Sequence, residues 1–169
     1  MSKPPCPVRE GATSLVAVAI SPALAHALEL PRKLRLNREN YTAVQAIYYP
    51  GFTIGEGLGM VATFILLIKA RTESAAFWCT LAGLIALAGE HGAYWVFTHP
   101  VNRFWLKDEP LTGLGRGFFA FDPMKRTGPE PTASDAAWTR ASDRWEFSHV
   151  LRAILAGTAL TALVVAVAI

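Results

Sequence analysis

A chain of 169 residues with 52% hydrophobic and 17% charged side chains is too apolar to be disordered, and its mean hydropathy is positive at +0.30. The net charge of +3 and pI near 9.1 come without a basic face interleaved with aromatics, which argues against a nucleic-acid partner. Its two cysteines, Cys6 near the start and Cys79 within an apolar run, offer neither a plausible disulfide nor a metal-binding spacing.

The distribution of apolar residues sets the expected class. Ala12 to Leu30, Gly51 to Ile68, Ala75 to Thr98 and Val150 to Ile169 are apolar runs close to the roughly 20 residues needed to cross a hydrocarbon core. A soluble helix of that length would alternate polar and apolar faces, whereas Val150 to Ile169 holds one charge, Arg152, near its start. The expectation is an all-α, four-helix transmembrane bundle forming a single integral membrane domain over residues 1–169. Its spans fall at about 12–30, 49–69, 75–98 and 147–169, with a long polar loop at 99–146 between the third and fourth.

In chain order, the first run competes with a secretory signal, since Lys3 and Arg9 precede Leu15 to Ala25 and a small-residue site at Ala23 to Ala25. We read it as a span, with Pro22 as an expected kink. The loop after it, Pro31 to Arg38, carries four basic residues. In the second run Gly51, Gly55 and Gly59 recur every fourth residue and clear one helix face for a neighbouring backbone. Glu56 lies among them, where an ionised carboxylate facing lipid would cost at least a few kcal/mol. The third loop carries seven basic residues, so the first and third loops together hold eleven against four on the opposite side. That asymmetry places both loops in the cytoplasm, as expected for a protein of the bacterial inner membrane.

Within the third loop, Gly113, Gly115 and Gly117 lack the following lysine and hydroxyl residue of a phosphate cradle and read as a flexible connection. Phe118, Phe119 and Phe121 read as a lid over the cytoplasmic mouth, a membrane-surface contact or a docking point for another subunit.

Polar residues gather at the cytoplasmic end of all four spans. His26 and Glu29 come from the first, Gln45, Tyr48, Tyr49 and Glu56 from the second, Glu90, His91, Tyr94, Trp95 and His99 from the third, and Glu146, His149 and Arg152 from the fourth. A layer shared by four helices implies a cavity, while single buried polar groups serve as packing glue. Among the histidines, His26 and His149 each have a glutamate three residues away on the same helix face, His91 is a third candidate, and His99 reads as a helix-end cap before Pro100. Pairs of this kind also resemble the ligand sets of dinuclear bundles, with His26, Glu29, Glu56, Glu90, Glu146 and His149 as candidate ligands for iron, copper or manganese.

Four stretches carry a family likeness: His26 to Leu34 (HALELPRKL), Tyr41 to Tyr48 (YTAVQAIY), Pro100 to Arg103 (PVNR) and Arg144 to Arg152 (RWEFSHVLR). Together they resemble the anthrone-oxygenase-like family of small four-helix membrane proteins, most of them without an assigned function. The resemblance implies oxygen chemistry on aromatic polyketides with no established cofactor. A base would remove a proton from an electron-rich ring, and the carbanion would pass an electron to dioxygen. Carried onto this chain, His26, Glu29, His149 and Arg152 form the catalytic set, with His149 or His26 as base and Arg152 steadying the oxyanion. Tyr48, Glu56, His91, Trp95, Asn102 and Trp145 would line the substrate pocket. The third loop is longer than the family pattern. Two other classes stay open: a metal-dependent membrane oxidoreductase, and a non-catalytic subunit of a larger membrane complex or homo-oligomer. Membrane lipid and a hydrophobic small molecule are the expected partners in each.

Overall fold

The structure, a computed structural model, describes residues 7–45, 53–70, 72, 74–105 and 135–169. Its described residues are almost entirely helical: α1 (Pro7–Lys33), α2 (Arg38–Gln45), α3 (Thr53–Lys69), α4 (Ala75–Ala93), a π-helical turn (Tyr94–Thr98), α5 (His99–Trp105) and α6 (Asp135–Ala168). Helices α1 and α6 are long and apolar enough to cross a membrane, over Val8–Lys33 and Asp135–Ala168. The four long helices pack as a ring of neighbours, α1 against α3 and α6, and α4 against the same two.

Local chemistry explains most of the element boundaries. Ser74 caps α4 by accepting from the Phe77 N–H at 3.1 Å, and Asn37 caps α2 by accepting from the Asn40 N–H at 2.9 Å. Helix α1 continues through both Pro22 and Pro31 as one element. The hydroxyls of Thr63, Thr80, Thr158 and Thr161 each bond the carbonyl four residues earlier, so these polar side chains are satisfied within their own helix.

Two boundaries depart from the sequence expectation. Both ends of the segment read as a polar loop are helical, α5 at its start and the first turns of α6 at its end. Trp138 and Trp145, seven residues apart on α6, stand on one face and pack against Trp105, and that contact favours the extra turns over an open loop. Helix α2 within the first loop was likewise unforeseen. Residues 106–134, with the glycine and phenylalanine motifs, lie outside the described residues.

Val16, Ala86, Leu87, Ala159 and Leu163 form the core of the half remote from the polar end. At that far end Arg9 donates to the Ala166 carbonyl at 2.9 Å, tying the start of α1 to the end of α6. The close approach expected of the glycine face occurs at Gly59. A Cβ there would stand 3.2 Å from Cγ2 of Val16, whose Cα is 3.7 Å away. Gly59→Leu should therefore destabilise the protein by about 1–3 kcal/mol, whereas Gly57→Leu, with open space around its Cα, should be near neutral. Thermal unfolding in detergent checks the pair, and equal effects would remove the α1–α3 contact as the reason for glycine.

Large apolar side chains stand exposed on all four long helices, among them Leu28, Phe64, Ile68, Trp78, Ile85 and Ile154.

Candidate functional site

The last two turns of α1 place His26, Glu29 and Lys33 on one face, because seven residues span nearly two turns. Lys33 is only 3% exposed. Its Nζ lies 2.7 Å from His26 Nδ1 and 3.0 Å from Glu29 Oε2, and it stands 5.5 Å over the Trp145 ring. An ammonium has donors only, so His26 Nδ1 accepts and the neutral ring carries its proton on Nε2.

His149 has the opposite assignment. Its Nδ1 lies 2.9 Å from the Trp145 carbonyl, one turn earlier on α6. A carbonyl only accepts, so Nδ1 holds the proton and Nε2 carries the basic lone pair. The two imidazoles meet across the α1–α6 interface with ring centroids 4.5 Å apart, and Trp145 lies against both, at 4.8 Å from His26 and 3.7 Å from His149. One ring thus presents an Nε2–H donor and its neighbour an Nε2 base, which is the complementarity a proton relay needs.

Trp145 is held in turn by its indole N–H, which donates to Asn102 Oδ1 on α5 at 2.9 Å. Beside it, Glu146 Oε1 accepts from the Tyr41 hydroxyl at 2.6 Å, joining α2 to α6. Tyr41 also faces Trp105 and Trp138 edge-on. Ser148 and Thr98 share a hydroxyl bond at 2.7 Å, with Ser148 donating to the Trp145 carbonyl and Thr98 therefore donating to Ser148.

One turn deeper, Arg152 joins three helices. Its Nε donates to Glu90 Oε1 at 2.6 Å, its Nη2 donates to Glu56 Oε1, and its guanidinium lies 5.2 Å over the Tyr94 ring. All three charged residues are buried. Donor atoms of Glu56, Glu90 and His91 come within 4.8 Å of one another. Those carboxylates are bound to the guanidinium, and His91 Nε2 accepts from the Trp95 indole at 3.0 Å. That tie leaves the His91 proton on Nδ1, so the ring presents no spare lone pair and the set does not suit a metal ion. A void of about 10 Å³ beside Glu56 and Glu90, walled by Gly59, Leu87, Ala156 and residues of α1, is the size of one water and too small for an aromatic ring.

Of the residues singled out in the sequence, His26, His149, Trp145 and Asn102 come together at one place, with Glu146 beside them. Glu29 is half-exposed and is tied to this place by its ion pair with Lys33. Glu56 and Glu90 meet at Arg152, and His91 of α4 pairs with Trp95 of the π-helical turn. The six residues named as candidate metal ligands therefore fall into separate neighbourhoods. Tyr48 lies outside the described residues. His99 is not a helix-end cap: it is fully buried, the chain stays helical beyond it, and its ring packs on Trp95 at 4.8 Å. Proline at the second position of α5 starts a new helical stretch instead of ending one.

Sequence reasoning missed Lys33 and Tyr41. Lys33 was counted among the basic loop residues and stands in the stretch His26 to Leu34, but it was given no role at the site, although its spacing from His26 and Glu29 marks the same helix face. Tyr41 opens the stretch Tyr41 to Tyr48 but has no helical spacing to betray its role, because its partner Glu146 is 105 residues away.

Compared with known proteins, the chain matches no family model, no curated relative and no solved structure.

Proposed function

We propose that this chain is an integral membrane oxygenase that acts on a hydrophobic aromatic or quinone-like substrate by base-assisted oxygenation. The single observation that carries this reading is the meeting of His26 and His149 with complementary proton assignments, walled by Trp145 and backed by the Lys33 cation. The apolar side chains exposed on all four long helices support a four-helix bundle surrounded by lipid, from which such a substrate would enter. The basic residues of the first and third loops support a cytoplasmic side for the polar end.

In this mechanism His149 Nε2 takes a proton from the activated ring methylene. Lys33 and the His26 Nε2–H stabilise the negative charge that develops on the ring oxygen. The carbanion passes one electron to dioxygen, and the radical pair combines to a hydroperoxide. Loss of the second methylene proton breaks the O–O bond and yields a carbonyl and water, so that CH2 and O2 become C=O and H2O. The protein contributes the base, the compensating charge and a site shielded from bulk water.

Oxygen uptake by the purified full-length protein in detergent, with anthrone as the probe, tests this directly. The expected result is uptake matched mole for mole by quinone formed, without hydrogen peroxide, and unchanged by chelators. Uptake no faster than in protein-free detergent would sink the reading and leave a non-catalytic membrane subunit as the better account.

A further inference from the structure

Beside the histidine pair lies an aromatic corner that the mechanism does not use. Among the described residues, two buried polar atoms there have no hydrogen-bond partner, the indole Nε1 of Trp105 and Oε2 of Glu146. Glu146 is only 3% exposed, and a buried polar atom left without a partner costs about 1–3 kcal/mol. Its other oxygen is taken by the Tyr41 hydroxyl. The surroundings are flat and apolar. Tyr41 stands edge-on to Trp105 and Trp138 at 5.7 and 5.4 Å, the two indoles lie within 27° of parallel, and Trp145 follows 5.9 Å from Trp105.

We propose that this corner docks the hydroxyl group of a flat aromatic ligand, a phenol or naphthol in class. Trp105 Nε1–H donates to the hydroxyl oxygen, and the hydroxyl hydrogen is donated to Glu146 Oε2. The unmet pair selects the group. An ammonium offers donors only and leaves the indole N–H unmet, a carboxylate or phosphate offers acceptors only and is repelled by Glu146, and a ketone cannot donate at all. Two of the ring faces that would attract a cation already have one, Lys33 over Trp145 and Arg38 over Trp138 at 5.9 Å. Trp145 touches both Trp105 and His149, so a ring anchored at the corner extends toward the proposed base. The inference rests on the reading that the polar end of the bundle receives an aromatic substrate, and it adds the functional group by which that substrate is held.

Calorimetric titration of the full-length protein in detergent with 1-naphthol and with 1-methylnaphthalene, which replaces hydroxyl by methyl at similar size, tests the site. The protein should prefer the naphthol beyond the difference in detergent partitioning. Trp105→Phe keeps a ring but removes the donor, and should weaken naphthol binding about 2- to 10-fold while leaving methylnaphthalene unchanged. Glu146→Gln should lower the same preference without abolishing the α2–α6 contact. Equal binding of the two probes by the unaltered protein overturns the proposal, as does an equal loss of both in Trp105→Phe, which would make Trp105 a packing residue. Naphthol selectivity without oxygen uptake on anthrone keeps the docking site and removes the oxygenase reading. Uptake indifferent to Trp105→Phe and Glu146→Gln does the reverse.

Discussion

Arg152→Met should cost the folded protein about 3–5 kcal/mol, because it strips the partner from two carboxylates at once. Glu56 and Glu90 are both buried and reach the same guanidinium from different helices. Their alternatives in its absence are to repel one another in a medium of low dielectric or to take up protons. The reversal is as informative as the loss. Combining Arg152→Met with Glu56→Gln and Glu90→Gln removes every charge from the cluster and should recover most of the stability, since replacing a buried ion group entirely is often neutral. Helical circular dichroism during thermal unfolding in detergent reads both. A single variant that melts like the unaltered protein would show that the guanidinium does not bridge the helices. The same series separates structure from chemistry, because oxygen uptake that returns with the triple variant would exclude any direct role for Arg152 at the substrate.

His149→Gln should lower kcat/KM for anthrone oxygenation by roughly 10²- to 10⁴-fold, the usual contribution of a positioned base. Glutamine can still donate to the Trp145 carbonyl, so the local packing is largely kept while the lone pair at Nε2 is lost. Stability should change far less than in Arg152→Met, and the contrast between the two variants is the decisive feature. If His149→Gln retained full uptake, the base would lie elsewhere and the His26–His149 contact would be reduced to packing. Exogenous imidazole that restores part of the rate to His149→Ala would place the missing function in the ring itself.

The long helices were legible because they need only composition and length. The gathering of polar residues at one end was equally legible, since consecutive helices that pack antiparallel bring alternate helix ends together. His26 and His149 were found from glutamates on their own helices, yet the structure pairs each with something else, His26 with Lys33 and His149 with the Trp145 carbonyl. Helical spacing predicts which side chains share a face, and it is silent about depth and rotation of one helix against another. That is why Arg152, read beside Glu146 and His149 in sequence, binds Glu90 at a separation of 62 residues and Glu56 at 96. Helix α2 was missed because it is only eight residues long and polar on average, so its amphipathic pattern is confined to about two turns inside a charged loop. Its anchoring Tyr41 is defined by what it meets on α5 and α6.

The π-helical turn at Tyr94–Thr98 bears on how residues from α4 and α5 come to serve one site. Pro100 has no N–H, so the Val96 carbonyl four residues earlier loses its ordinary partner, and Arg144 on α6 supplies a donor to it. The His99 N–H reaches back five residues to the Tyr94 carbonyl. The wider loop accommodates one extra residue, and since each residue turns a helix by about 100°, everything after it is set out of phase with everything before. Glu90 and Tyr94 on one side and His99 and Asn102 on the other thereby come to address the same flank of the bundle, which a continuous α-helix would not permit. Removing a single residue from the turn would restore the phase and swing Asn102 away from Trp145, with no loss of any side chain that touches the histidines.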